Sequence, residues 1–154
     1  MASGADLKSI AQARLVSAET LMSAGDWHAA AYMLPYSLEC ALKSVICKTL
    51  HLGTYPDDQW AHEMQVQSFF TTHIFVQLIV VSGLTDIFSP TGRAEPYGHW
   101  SKFTAVYPGK WIGMRYNDTI KMAQFDEKKV RELHFMLTDP QHGILTVIEN
   151  EGRW

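Results

Sequence analysis

The stretch Trp27-His28-Ala29-Ala30-Ala31-Tyr32-Met33-Leu34-Pro35-Tyr36-Ser37-Leu38-Glu39-Cys40-Ala41-Leu42-Lys43-Ser44-Val45-Ile46-Cys47 decides the fold class. Between Ala29 and Cys47 its only charged residues are Glu39 and Lys43. A helix apolar almost all round belongs at the centre of a bundle, covered on most sides. Asp26 is a ready N-cap, so the helix is expected over residues 27–50. Pro35 removes a backbone donor from its middle and predicts a kink or a short break. Glu39 and Lys43 stand at i and i+4 with the acid first, an arrangement that pairs on a helix surface. Cys40 and Cys47 lie about 10 Å apart by helix rise, beyond disulfide reach, and read as reduced core thiols.

Upstream, Leu7, Ile10, Ala11, Leu15, Ala18, Leu21 and Met22 recur at three- and four-residue spacing, which predicts an amphipathic helix over residues 7–24, ended by Gly25. A tight turn then makes the first two helices antiparallel. Arg14 falls on the apolar stripe and reads as a side chain snorkelling at its edge, with a buried pairing role as the alternative.

Downstream, residues 51–67 carry Gly53, Pro56, Asp57 and Asp58 and read as a loop with one helical turn around 60–65. Residues 71–82 are rich in strand formers. No other β-rich run exists to pair with them, and Thr72 as N-cap with Gly83 at the far end favours a helix. Residues 83–113 hold five of the ten glycines and three of the six prolines, which predicts a long irregular connection with a short helix near 100–107. Its aromatics, Phe88, Tyr97, Trp100, Phe103, Tyr107 and Trp111, form either a lid over the core or a contact surface. Val130, Leu133 and Leu137 mark a helix over 126–138. Asp139-Pro140 reads as an N-cap with proline at N1, restarting a last helix that buries Ile144, Leu145, Val147 and Ile148.

At 154 residues, 47% hydrophobic and 19% charged, the chain is expected to be a single all-α domain, residues 1–154, built as an up-and-down bundle of four to five helices. A net charge of −3 argues against extended nucleic acid held by broad phosphate neutralisation, while leaving room for a local basic pocket. The start Met1-Ala2-Ser3-Gly4-Ala5-Asp6 lacks the basic and apolar runs of a signal peptide, and the apolar stretch 74–81 is too short to span a bilayer. The expectation is a cytoplasmic protein without membrane contact. His62-Glu63-Met64-Gln65-Val66 has Val where a zinc-protease helix needs its second His, and no other histidine or cysteine pair has metal spacing, so neither metal nor cofactor is expected. No phosphate-binding glycine loop and no Gly-x-Ser-x-Gly elbow occur.

The order of phrases is more telling than any one of them. Trp27-His28-Ala29-Ala30-Ala31-Tyr32 opens the second helix, Tyr36-Ser37-Leu38-Glu39-Cys40-Ala41-Leu42-Lys43 fills its middle, Thr72-His73-Ile74-Phe75-Val76-Gln77-Leu78 starts the third, and Met114-Arg115-Tyr116 precedes the last helices. This succession resembles the HEPN domain family (higher eukaryotes and prokaryotes nucleotide-binding) over about 120 residues, 15–137. The resemblance implies a helical bundle, often a homodimer that brings two functional arginines together, and sometimes a nucleotidyltransferase partner in a toxin–antitoxin pair. Catalytic members are metal-independent ribonucleases with an Arg followed four to six residues later by a His, one stabilising phosphate charge and the other moving a proton.

After Arg115 that spacing meets Ile120, Lys121 and Met122, none of them His, and His134 lies too far on. The resemblance therefore implies a non-catalytic binding or assembly module for a nucleotide or a partner protein, with a ribonuclease of rearranged active site as the alternative. Arg115, Tyr116, Asn117 and Lys121 gather two cations, a phenol and an amide within seven residues, a set suited to an anionic ligand. His73, Glu39 and Lys43 complete the candidate ligand-binding residues. Each has a structural alternative: Arg115 caps a helix end or pairs with an acid, His73 caps or packs, and Glu39 pairs with Lys43.

Overall fold

The computed structural model describes residues 2–56, 69–109 and 111–154, and among these the secondary structure is entirely helical. Helix α1 (Gly4–Ser23) starts three residues earlier than the apolar stripe suggests, because Ser3 and Asp6 form a reciprocal capping box. Leu7, Ala11, Ala18 and Met22 are buried as the stripe predicts, whereas Ile10 stays exposed. Arg14 is exposed too, as a snorkelling residue should be.

Helix α2 (Trp27–Thr49) follows, with the Asp26 side chain accepting from the Ala29 N–H. The Ser44 hydroxyl donates to the Gly4 carbonyl at 2.7 Å and the Ser37 hydroxyl to the Ala11 carbonyl at 2.8 Å, so the two helices run antiparallel. Their contact is close: a Cβ on Gly4 would lie 3.0 Å from Cys47 Cβ.

Pro35 does not break α2, which is continuous through it. Proline leaves the carbonyl four residues back, that of Ala31, without its helical donor. The buried Tyr107 hydroxyl donates to that oxygen at 2.7 Å. A residue 72 positions downstream of Pro35 thus supplies the hydrogen bond that proline removed, and burial pushes the Tyr107 phenol well above its usual pKa, keeping it a donor.

Helix α3 (Phe75–Ser82) is shorter than the expected 71–82. Thr72 is not its N-cap: that position is Ile74, whose N–H is taken by the Thr72 hydroxyl at 3.0 Å. At the other end Gly83 closes the helix in the left-handed conformation (φ 72°), as expected. Residues 83–113 are far more regular than their glycines and prolines suggest. They contain a 3-10 turn (Leu84–Asp86), a 13-residue helix α4 (Ala94–Val106) and the start of a second 3-10 turn (Trp111–Tyr116). Pro96 lies in the first turn of α4, where its missing N–H would have no helical acceptor, so it costs the helix little. Phe88, Trp100, Phe103, Tyr107 and Trp111 are buried, which makes this segment the lid over the core.

Helix α5 (Thr119–Met122) is a single turn capped by Asp118, and α6 (Glu127–Thr138) is capped by Asp126. Asp139 does not start the last helix. It ends α6, its carboxylate accepts from the Gln141 N–H, and α7 (Ile144–Asn150) begins only after Gly143. α2 packs against α1, α3 and α6, and its Leu34, Leu38, Leu42 and Ile46 are wholly buried, so it is the central helix of the bundle. Cys47 is buried, Cys40 half-buried, and both are free. No described helix is long and apolar enough to cross a membrane. The turn expected around 60–65 and the His62-Glu63 phrase lie outside the described residues.

Candidate functional site

Glu39 lies on the central helix with its side chain only 5% exposed. Left alone, a carboxylate in that position would carry a desolvation cost of several kcal/mol. Two partners offset it. Lys43 Nζ is 2.8 Å from Oε1, and His73 Nδ1 is 2.9 Å from both oxygens. Glu39 and Lys43 therefore pair as their spacing predicts, but inside the protein rather than on a solvated helix face. The Lys43 ammonium also lies 5.2 Å from the centre of the Tyr55 ring.

His73 stands just before α3, outside the helix it was expected to open. Its position is set from two sides. The Trp111 indole N–H donates to its backbone carbonyl at 2.9 Å, and the Trp111 ring meets the imidazole edge-on at 6.4 Å. Trp111 in turn packs edge-on against Tyr36 at 5.1 Å and stacks with Phe75 at 5.9 Å. Tyr32 and Tyr36, one helical turn apart on α2, share a hydroxyl–hydroxyl hydrogen bond at 3.2 Å. Desolvation, that hydrogen bond and the Glu39 charge push the Tyr36 phenol up to about 12, while Arg115 pulls the other way. Tyr36 is thus within electrostatic reach of both Glu39 and Arg115.

Arg115 is exposed, and its guanidinium lies 4.8 Å from the centre of the Tyr116 ring. Tyr116, Asn117 and Lys121 are exposed as well. Asn117 makes a long contact, 4.0 Å, with the Met122 sulfur, and the Lys121 backbone N–H goes to Asp118. These four do not converge side chain to side chain; they form a polar strip along the Trp111–Tyr116 turn and α5. Beside that strip is a cavity of about 330 Å³ lined by Trp111, Gly113, Met114, Asn117, Gln124 and Phe125, among others. Trp111 is the wall common to this cavity and to His73.

Tyr32, Tyr36 and Trp111 are the members that reading the sequence for chemistry passes over. The signal for the tyrosines is their i, i+4 spacing on one face of α2; Trp111, 72 residues further on than Glu39, carries no local signal. Cys40 adds no reactive thiol, since burial and then the Glu39 charge push it up to about 11. Among the described residues no group of three or more His, Cys, Asp or Glu side chains is arranged to hold a metal ion. A larger cavity, about 470 Å³, lies at the start of α1, but its cations are engaged by structural partners, Lys8 by Glu149 at 2.9 Å and Lys48 by the Gly152 carbonyl at 2.6 Å.

No family model matches the chain, and no curated protein and no solved structure matches it significantly.

Proposed function

We propose that this chain is a HEPN-like binding module that takes a small anionic ligand, foremost a mononucleotide, on the face formed by Tyr36, His73, Trp111 and Arg115. One observation carries the reading. The Glu-x-x-x-Lys phrase and the His phrase, 34 residues apart, meet in a single part-buried hydrogen-bonded cluster, and Trp111, packed on its histidine, begins the turn that carries Arg115. A buried ion pair is a poor way to gain stability, since apolar residues of the same volume do as well or better. Its place beneath a half-exposed histidine is explained by a ligand. Arg115 offers the planar fork that suits phosphate, Lys121 adds a second cation on the same strip, and the cavity beside Trp111 joins an aromatic wall to the amides of Asn117 and Gln124, a lining suited to a heterocycle. The net charge of −3 disfavours a long polyanion more than one phosphate in a pocket.

The test is a thermal-shift and calorimetric screen of nucleotides on the wild type and on Arg115→Ala. The expected result is a stabilising mononucleotide whose effect is lost in the variant; an effect that survives moves the site elsewhere, and no hit turns the reading toward an acidic protein partner. A homodimer and a nucleotidyltransferase partner belong to the same proposal, and light scattering on micromolar protein tests the first.

A second reading is a metal-independent ribonuclease of rearranged active site, in which His73, the histidine packed against Trp111, would have to replace the one missing at the required spacing after Arg115. Because Arg115 has no His four to six residues on, the expected outcome is intact single-stranded RNA without added metal. Cleavage lost in both Arg115→Ala and His73→Ala overturns that expectation and puts the ribonuclease first.

A further inference from the structure

Helix α7 is anchored in the core through Ile144, Leu145, Val147 and Ile148, and from Glu149 onward no residue is fully buried. The chain then turns back through Gly152, in the left-handed conformation (φ 61°), so that residues 149–154 touch the start of α1, the end of α2 and the turn after α3. What holds this segment is almost all polar. Three ion pairs tie it down: Glu149 to Lys8 at 2.9 Å, Glu151 to Arg93 at 2.6 Å and Arg153 to Asp86 at 3.5 Å. Each side chain in them is at least 29% exposed, so all three pairs are open to solvent ions. Lys48 Nζ adds a hydrogen bond to the Gly152 carbonyl at 2.6 Å, and the Arg153 guanidinium one to the Gly83 carbonyl at 2.9 Å. The apolar anchor is Trp154, half-buried, whose indole N–H donates to Glu149 and whose ring centre lies 5.2 Å from Lys8 Nζ. Trp154 also lines the cavity of about 470 Å³ at the start of α1, together with Lys8, Lys48 and Cys47, and Cys47 is only 3% exposed.

We propose that residues 149–154 are a strap poised to open, an ionic-strength-sensitive gate on the cavity between α1 and α2, which moves away as a unit when its ion pairs are screened and leaves the bundle folded. Exposed pairs each contribute little, and salt cuts the reach of a charge from about 10 Å at 0.1 M to about 3 Å at 1 M. The buried side chains of α7 lie before the strap and need not move with it, so the opening is local rather than global. Lys8 and Lys48 each take an oxygen from the strap, that of Glu149 and that of Gly152, so one movement frees both ammoniums into the cavity that they line.

Alkylation by N-ethylmaleimide, an uncharged reagent, reads the strap, because Cys47 lines the strapped cavity and Cys40 does not. Trypsin cuts after Lys43 and so places the two thiols on separate peptides for mass spectrometry. Between about 0.05 M and about 1 M sodium chloride at constant pH, the Cys47 rate should rise about fivefold, equivalent to about 1 kcal/mol shared among three exposed pairs, while the Cys40 rate stays constant. Glu149→Gln combined with Glu151→Gln removes two of the pairs at nearly constant side-chain size. This variant should label Cys47 at low salt almost as fast as the wild type does at high salt. A Cys47 rate indifferent to salt, or a double variant that labels at low salt like the wild type, overturns the inference. A rise that Cys40 shares overturns it as well, since the whole bundle is then what opens.

Discussion

His73 and His99 each meet a carboxylate at 2.9 Å, yet the two pairs are built for different ends. His99, on α4, turns Nε2 to Asp139 at the end of α6, packs edge-on against Phe135, and is only 17% exposed. Its carboxylate is also held by the N–H groups of the turn that follows, first that of Gln141. Every part of this pair joins one element to another. The Glu39–His73 pair has the opposite distribution: the carboxylate is sealed in the central helix with a lysine beside it, and the imidazole faces outward with a nitrogen to spare. His99 and Asp139 are both largely covered, whereas in the proposed site only the acid is.

The largest effect is expected at Glu39. Glu39→Ala strands the Lys43 ammonium in an almost closed environment, which costs about 3–5 kcal/mol. At this chain length that corresponds to a fall in Tm of roughly 10 °C. Glu39→Gln keeps an acceptor for both neighbours and should cost on the order of 1–3 kcal/mol. If thermal unfolding shows Glu39→Ala to be as stable as the wild type, the pair is solvated, and the contrast with the His99 joint disappears.

Next comes the turn that carries Asp139. A Cβ on Gly143 would stand 2.5 Å from the Asp139 nitrogen and 2.7 Å from the carbonyl oxygens of Asp139 and Leu137. All three are backbone atoms, so a rotamer change relieves nothing. Gly143→Ala should cost about 1–3 kcal/mol by forcing the chain apart, seen in chemical denaturation as a lower midpoint with ligand binding at the Arg115 face unchanged. Loss of binding there would show that the two regions are mechanically coupled.

The bundle was legible in the sequence wherever burial is written in local period. α1, α2 and α6 follow from apolar spacing, and the start of α2 from Asp26 as its cap. What failed was local reading of residues whose roles are set at long range. Pro35 predicts a kink only if Tyr107 is unknown, and α4 hides behind Pro96 and Gly98, whose helical cost is offset by burial of Trp100 and Phe103. For the site, the sequence nominated Glu39, Lys43, His73 and Arg115 separately. Glu39, Lys43 and His73 do meet, and the placing of His73 depends on Trp111, which belongs to the segment read as an irregular connection.

Smaller still, and visible only in acid, is the contribution of the Asp139 charge. Hydrogen bonds from the Gln141 N–H and from His99 hold this carboxyl below the usual aspartate range in the folded protein. A depressed folded pKa gives stability that is fully present above the unfolded value, near 3.9, and is lost as pH falls through the folded one. Asp139→Asn should therefore be less stable than the wild type at pH 6, and the two should converge below about pH 4. The acid slope that remains belongs to Asp6, Glu149 and Glu151, whose carboxyls are lowered by Ser3, Lys8 and Arg93 respectively. Parallel urea midpoints from pH 7 to pH 2.5, with a gap that never narrows, would remove Asp139 as a charge-dependent joint.

Arg115→Ala should change stability least of all, within about 0.5 kcal/mol. The guanidinium is exposed, its one ring contact is with the equally exposed Tyr116, and it forms no ion pair among the described residues. Surface cations of this kind contribute little to folding. No ion pair among the described residues requires an arginine there, as the proposed ligand role expects. Unfolding curves that superimpose, together with a lost nucleotide response, would separate binding from stability at this face. A drop of several degrees in Tm would instead make Arg115 a structural cap, and the two histidine pairs would then both be read as joints.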